Sequence, residues 1–245
     1  AADSGKSIRF PVTDVRVFSG RTSTGVRGIR LTKGQHIVSM TLLNHVELET
    51  DVRDAYLRMS KARRRLDGEE DENGNGVSPA EEAASEQISL SEEQFEQLSA
   101  QEEFILTATE NGYGKRTSAY EYRITKRGGQ GVVNIATEGR NGAVVASFPV
   151  NNADQIMLVT DGGKIIRSPV ADIRIAGRST QGVTLFDTAD DEKVVSVAYL
   201  QESEEDEEVG VEVDAESPDE DAAGEAPVDS EAGPEPEVDD AAGDA

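Results

Sequence analysis

Gly163-Lys164-Ile165-Ile166-Arg167 runs on to Gly177-Arg178-Ser179-Thr180-Gln181-Gly182-Val183, and an earlier stretch repeats the pattern almost residue for residue. There, Gly5-Lys6-Ser7-Ile8-Arg9 leads to Gly20-Arg21-Thr22-Ser23-Thr24-Gly25-Val26. A looser third copy joins Gly114-Lys115-Arg116-Thr117 to Lys126-Arg127-Gly128-Gly129-Gln130-Gly131-Val132. Repetition of this kind decides the architecture before any secondary structure is assigned. From Gly114 to Gly163 is 49 residues, room for four short strands and their turns, whereas Gly5 to Gly114 is 109, which marks an insertion of 60. Val132–Ile135, Ala143–Phe148, Gln155–Thr160 and Val194–Tyr199 are short and β-branched, and Asn141-Gly142 and Asp161-Gly162 supply turns between such runs. Four-strand units at this spacing predict an all-β, propeller-like partial ring of about three blades, each burying its faces on its neighbours.

Working outward, the expected organisation is a blade over 1–46, an acidic helical insertion over 47–102, blades over 103–200 and a tail over 201–245. In 51–66, Val52, Ala55, Tyr56, Met59, Ala62 and Leu66 share one helical face, and Arg63-Arg64-Arg65 close the last turn where they favour the helix dipole. Ser78-Pro79-Ala80-Glu81 and Ser91-Glu92-Glu93-Gln94 have capping-box form, which predicts two more short helices. The insertion is expected to be loosely attached. The tail has no aromatic residue and reads as disordered.

The charge is segregated in the same way. The whole chain carries 24 basic against 49 acidic residues, a net −25 that by itself argues against nucleic acid. The tail, however, holds 20 acidic residues and no basic one, and 47–103 holds 17 against 6. What remains has 18 basic and 12 acidic residues, so the repeats are basic and their appendages acidic. The absence of cysteine excludes disulfides and thiolate metal sites, and fits a reducing, cytoplasmic setting. No apolar run approaches the roughly 20 residues that span a bilayer, so no membrane partner is expected. The start at Ala1, without Met or a leader, reads as a piece of a longer chain.

The repeats place cations on turns. Lys6, Lys115 and Lys164 follow a turn glycine, and Arg21, Arg127 and Arg178 precede Gly25, Gly131 and Gly182, with Arg9, Arg116 and Arg167 nearby. Gly-rich turns let phosphate approach backbone N–H groups while a flanking cation neutralises it. A single exposed Arg signifies little. Recurrence in three blades predicts a curved basic stripe of the kind that bends duplex DNA without reading bases. Gly5-Lys6-Ser7 is not read as a nucleotide-binding P-loop, because strand rather than helix follows it. His36 and His45 stand beside no nucleophile or metal-ligand pattern, and Tyr113 and Tyr120 are explained by packing, so neither a catalytic residue nor a metal site is expected.

Gly112-Tyr113-Gly114-Lys115-Arg116-Thr117, Val26-Arg27-Gly28-Ile29 and the Gly20–Gly25 and Gly177–Val183 turns closely resemble the C-terminal domain of the bacterial DNA gyrase A subunit, over roughly 3–46 and 103–200. The resemblance implies a β-pinwheel, a propeller variant whose blades exchange strands, with DNA wrapped on a basic rim. It implies DNA contacts from Lys6, Arg9, Arg21, Arg27, Lys115, Arg116, Lys126, Arg127, Lys164, Arg167 and Arg178. Lys126–Gly131 resembles the gyrase A box in a later blade. The resemblance further implies a type IIA topoisomerase that introduces negative supercoils as an A2B2 complex, with ATP and Mg2+ used by the B subunit, none being bound by this chain. The acidic tail is expected to compete with phosphate for the rim. Two readings stay open beside this one: the related A-type domain of topoisomerase IV, and a propeller scaffold that binds proteins rather than DNA.

Overall fold

The computed structural model describes residues 1–66, 89–189 and 191–201. The Ser78 capping box and the acidic tail beyond Gln201 lie outside these residues. The second and third repeats run as long strand, tight turn, long strand, 3-10 turn, short strand and long strand. In one repeat these are β2 (Phe104–Thr109), β3 (Tyr113–Ser118), β4 (Val132–Val133) and β5 (Val144–Val150). In the next they are β6 (Gln155–Thr160), β7 (Ile165–Pro169), β8 (Val183–Thr184) and β9 (Val194–Leu200). The first repeat contributes β1 (Lys6–Ser7).

The short strands are exchanged. β8 pairs antiparallel with β3 of the preceding repeat, Val183 opposite Gly114, to complete a sheet ordered β5-β2-β3-β8. β4 likewise pairs with β1, Val132 opposite Ser7. The glycine before each short strand is what permits the approach. Gly131 and Gly182 have φ of +76° and +81°, and a Cβ on Gly131 would stand 2.6 Å from the Ser7 carbonyl oxygen. The third sheet is ordered β7-β6-β9, and among the described residues no fourth strand covers β7.

This pairing corrects the repeat register. Because Val132 faces Ser7 and Val183 faces Gly114, Ser7 corresponds to Gly114, and Gly5 therefore corresponds to Gly112 rather than Gly114. Hairpin pairing extends the correspondence to Gly163, since Ala108 faces Gly114 just as Val159 faces Ile165. Lys6, Tyr113 and Lys164 thus occupy one position, Ile8, Lys115 and Ile166 a second, and Arg9, Arg116 and Arg167 a third. The expected register of Lys6, Lys115 and Lys164 does not exist, because a Gly-Lys pair falls at a second offset within Gly112-Tyr113-Gly114-Lys115.

Neighbouring sheets bury their faces on each other. One core gathers Leu106 and Val150 of one repeat with Ile156, Leu158, Val170, Ile173 and Val194 of the next, and Phe148 meets Tyr199 edge to face at 6.0 Å. Along β6 the alternating inward residues Ile156, Leu158 and Thr160 are buried, the period-2 signature of a strand with one face on a core.

The insertion contributes α1 (Thr50–Leu66) and α2 (Glu92–Ala100). Ser91 caps α2, its Oγ accepting from the Gln94 amide while its own amide donates to Gln94 Oε1. The attachment is firm, not loose. Tyr56 stacks on Phe95 at 5.0 Å and meets Tyr120 edge-on at 5.4 Å, and the Tyr120 hydroxyl donates to the Leu98 carbonyl. Tyr120 belongs to the 3-10 turn Ala119–Glu121, so the helices are clamped on the repeat itself. Their buried stripe runs through Val52, Tyr56, Met59 and Ser60, so Ala62 and Leu66, expected inward, are exposed, Leu66 at 87%. True 3.6-residue periodicity carries the stripe to the side of Arg63, whose guanidinium lies 3.9 Å from the Phe95 ring centroid.

Candidate nucleic-acid interface

The strand exchange sets the three glycine-bearing turns side by side. The Gly128 amide donates to the Gly28 carbonyl, the Arg30 amide donates to Gly129, and Arg127 donates through Nη1 to Arg27 and through Nε to Asp14. The next turn joins in the same manner. Arg178 Nη1 donates to the Val133 carbonyl at 2.7 Å, the Ala136 amide to Thr180, and Arg140 Nη2 to Gly182. Residues 20–30, 126–133 and 177–182 thus make one hydrogen-bonded row crossing three repeats. Its exposed cations are Arg21, Arg27, Arg30 and Lys126, with Arg127 and Arg178 half-buried.

The remaining predicted residues divide by burial. Lys6 is half-buried on β1 beside the row, and Arg167 on β7 and Lys164 just before it are exposed. Arg167 Nε donates to Gln155, and Lys164 Nζ lies 2.5 Å from the Glu192 carboxylate, which Thr160 also holds. Arg9 reaches the Ala119 and Asn44 carbonyls, and burial lowers its pKa. Lys115 and Arg116 are corrected outright, being 0% and 4% exposed and therefore closed to a duplex. The Arg116 guanidinium donates to the carbonyls of Ile173 and Ala171 and to Asn152 Oδ1, locking one repeat to the 3-10 turn of the next.

Lys115 stands where the flanking repeats have Ile8 and Ile166, which explains its burial. Its ammonium donates to the carbonyls of Gly177, Arg178 and Thr180 and to Thr180 Oγ1, the last two at 3.1 Å. Loss of water around the charge pushes its pKa down to about 7, opposed by Glu121 and assisted by Arg178. Two features escaped the sequence reading. Arg140, whose guanidinium packs 4.5 Å from the Tyr113 ring centroid, is a cation of the row signalled only by the Gly139 and Gly142 turns around it. Glu121 accepts from the Arg178 amide at 2.9 Å, and no local signal marks that pairing across 57 residues.

Consecutive four-strand repeats that share strands define a β-propeller class, here with a cationic row of turns on successive repeats. The family model described as DNA gyrase C-terminal domain, beta-propeller, matches residues 1–44, 103–151 and 154–200, and the chain belongs to this family. The DNA gyrase A subunit of Granulibacter bethesdensis is 46% identical over 224 residues, 89% of this chain and 24% of its own length. That of Rickettsia bellii is 45% identical over 210 residues, 85% of this chain and 22% of its own. The chain thus spans under a quarter of the length of these relatives. At the level of fold, it superimposes on a solved DNA gyrase A C-terminal domain with a TM-score of 0.52 at 20% identity, covering 82% of this chain and 49% of the other. The C-terminal domain of a DNA topoisomerase IV gives 0.53 at 20%, covering 81% and 44%. The matched residues skip 45–102, which hold the insertion. Among the described residues, no helix is long and apolar enough to cross a membrane.

Proposed function

We propose that this chain binds duplex DNA along the row of turns and bends it across successive repeats, as the DNA-wrapping part of a gyrase A subunit. The observation that carries this reading is the continuity of the row: three turns from three repeats, tied by hydrogen bonds, with Arg21, Arg27 and Lys126 facing solvent. Cations set along a path that crosses three repeats neutralise successive phosphates and favour a bent duplex without base contacts. In the longer protein, wrapping in a fixed hand would deliver a neighbouring DNA segment to a gate elsewhere. Negative supercoiling would then follow in the cytoplasm, with ATP hydrolysed with the help of Mg2+ on a B subunit in an A2B2 complex. The tail, with its 20 acidic residues, would compete for the same row.

The test is duplex binding over a salt series, with plasmid relaxation to read trapped writhe. Replacing Arg21, Arg27 and Lys126 together by Ala is expected to weaken binding and flatten the log–log salt slope by roughly 0.9 for each phosphate no longer neutralised. Binding and slope equal to the unmodified chain would remove the DNA reading and leave a protein-binding scaffold.

A further inference from the structure

The turn Gly177–Gly182 is held in an unusual way: its carbonyl oxygens point inward. Those of Gly177, Arg178 and Thr180 all converge on the buried Lys115 ammonium. In a trans peptide the C=O and the following N–H point in opposite directions. Gathering the three carbonyls therefore turns three amides the other way, those of Arg178, Ser179 and Gln181. The first is taken by a carboxylate, since Glu121 Oε2 accepts from the Arg178 amide at 2.9 Å. This face of the turn already holds one anion. Among the described residues the amides of Ser179 and Gln181 have no hydrogen-bond partner, and Ser179 is exposed.

We infer that the outward amides of Ser179 and Gln181 form an anion nest for a phosphate group of the DNA backbone, backed by the Lys115 ammonium. Backbone N–H groups that share one face of a turn suit an oxyanion, and the Thr180 amide between these two points inward to the Gly177 carbonyl at 3.2 Å. Lys115, with no carboxylate of the described residues within ion-pair distance, supplies positive charge from behind. Glu121 brings a carboxylate to the turn, and Arg178 Nε lies 3.9 Å from it. Lys115 is a positioning residue here: it never meets the phosphate and acts by fixing the peptide planes. At the neighbouring turn the Gly128 amide, equivalent to that of Ser179, is instead spent on the Gly28 carbonyl. The inference rests on the DNA reading and narrows it to two backbone atoms.

The test is an NMR titration of the full 15N-labelled chain, first with inorganic phosphate and then with a short duplex DNA at constant ionic strength. The expected result is that the Ser179 and Gln181 amide protons move downfield with both probes, more than others in the turn, and that DNA acts at the lower concentration. In Lys115→Ile, which installs the residue of the flanking repeats, the affinity read from those two peaks is expected to fall roughly tenfold, the equivalent of one hydrogen bond to a charged group. If that variant fails to fold, the titration of the unmodified chain decides alone. Shifts with phosphate but not with DNA would overturn the assignment to DNA. Shifts with DNA at residues 21–28 and 126–131, with Ser179 and Gln181 unmoved, would overturn the nest and leave the DNA reading standing. No DNA-dependent shift anywhere would sink the reading beneath it.

Discussion

The turns at 126–131 and 177–182 hold the same place in successive repeats and are fastened by different means. The first lies over an apolar floor, with Gly129 close to Ile8 Cδ1, and ties its own backbone to residues 28 and 30. It needs Gly128 at φ +80° to do so. The second has Ser179 and Thr180 where the first has glycines, and is drawn together by an ammonium at the position of that isoleucine. One fold position thus admits two solutions, backbone pairing allowed by glycine or carbonyl capture by a buried cation. Among the described residues the Ser179 amide stays unpartnered in the second, whereas the equivalent Gly128 amide of the first is bonded.

Three measurements probe that contrast. The largest effect should come from what the turns share. Gly182→Ala puts a methyl group into the Gly114 carbonyl at a φ of +81° and is expected to cost about 3 kcal/mol in urea unfolding. Gly129→Ala, 3.7 Å from Ile8, should stay within about 0.5 kcal/mol, and equal losses would mean that the exchanged strand is not the anchor. Next, Lys115→Ile strips three carbonyls of their donor and should cost about 2 kcal/mol, against roughly 1 for Ile8→Val beneath the other turn. A neutral Lys115→Ile would show that water replaces the ammonium without loss.

The third effect is one of pH. The Lys115 pKa lies at about 7 when folded, against an ordinary value of 10.5, so between these limits the unfolded chain binds the extra proton and unfolding takes one up. The Lys115 contribution is therefore least favourable below pH 7 and improves as pH rises toward 10.5. Burial drives this shift, with Glu121 and Arg178 the charged groups facing the ammonium. The urea midpoint of the unmodified chain should accordingly gain on that of Lys115→Ile between about pH 6.5 and 9. A constant difference would mean that the three carbonyls keep the ammonium protonated throughout.

The same two turns show what was legible in the sequence. β-branched runs, Asn-Gly and Asp-Gly turns and the helical face around Tyr56 act locally and stand where their patterns put them, except in the last turns of α1, where Ala62 and Leu66 are exposed. The Ser91 capping box, equally local, is present to the atom. The register of the lysines was not legible, because Gly-Lys occurs at two offsets and only pairing with a strand about 70 residues away fixes which glycine begins β3. Burial of Lys115 depends on carbonyls 62 to 65 residues distant, and no spacing rule reaches that far. Composition also misjudged the insertion. Its acidity suggested a solvated appendage, whereas three aromatic rings, Tyr56, Phe95 and Tyr120, clamp it to the second repeat.

Strand exchange also sets a schedule for synthesis. The sheet ordered β5-β2-β3-β8 cannot close when its own repeat leaves the ribosome, because β8 lies 33 residues beyond the end of β5. At the usual 5–20 residues per second, the edge of β3 waits on the order of 2–7 s for its partner. During that interval Lys115 has no carbonyls to capture and stands in water with its charge exposed. The nascent chain therefore passes through a stage with an open β edge guarded by a lysine, a residue suited to discouraging other strands from pairing there.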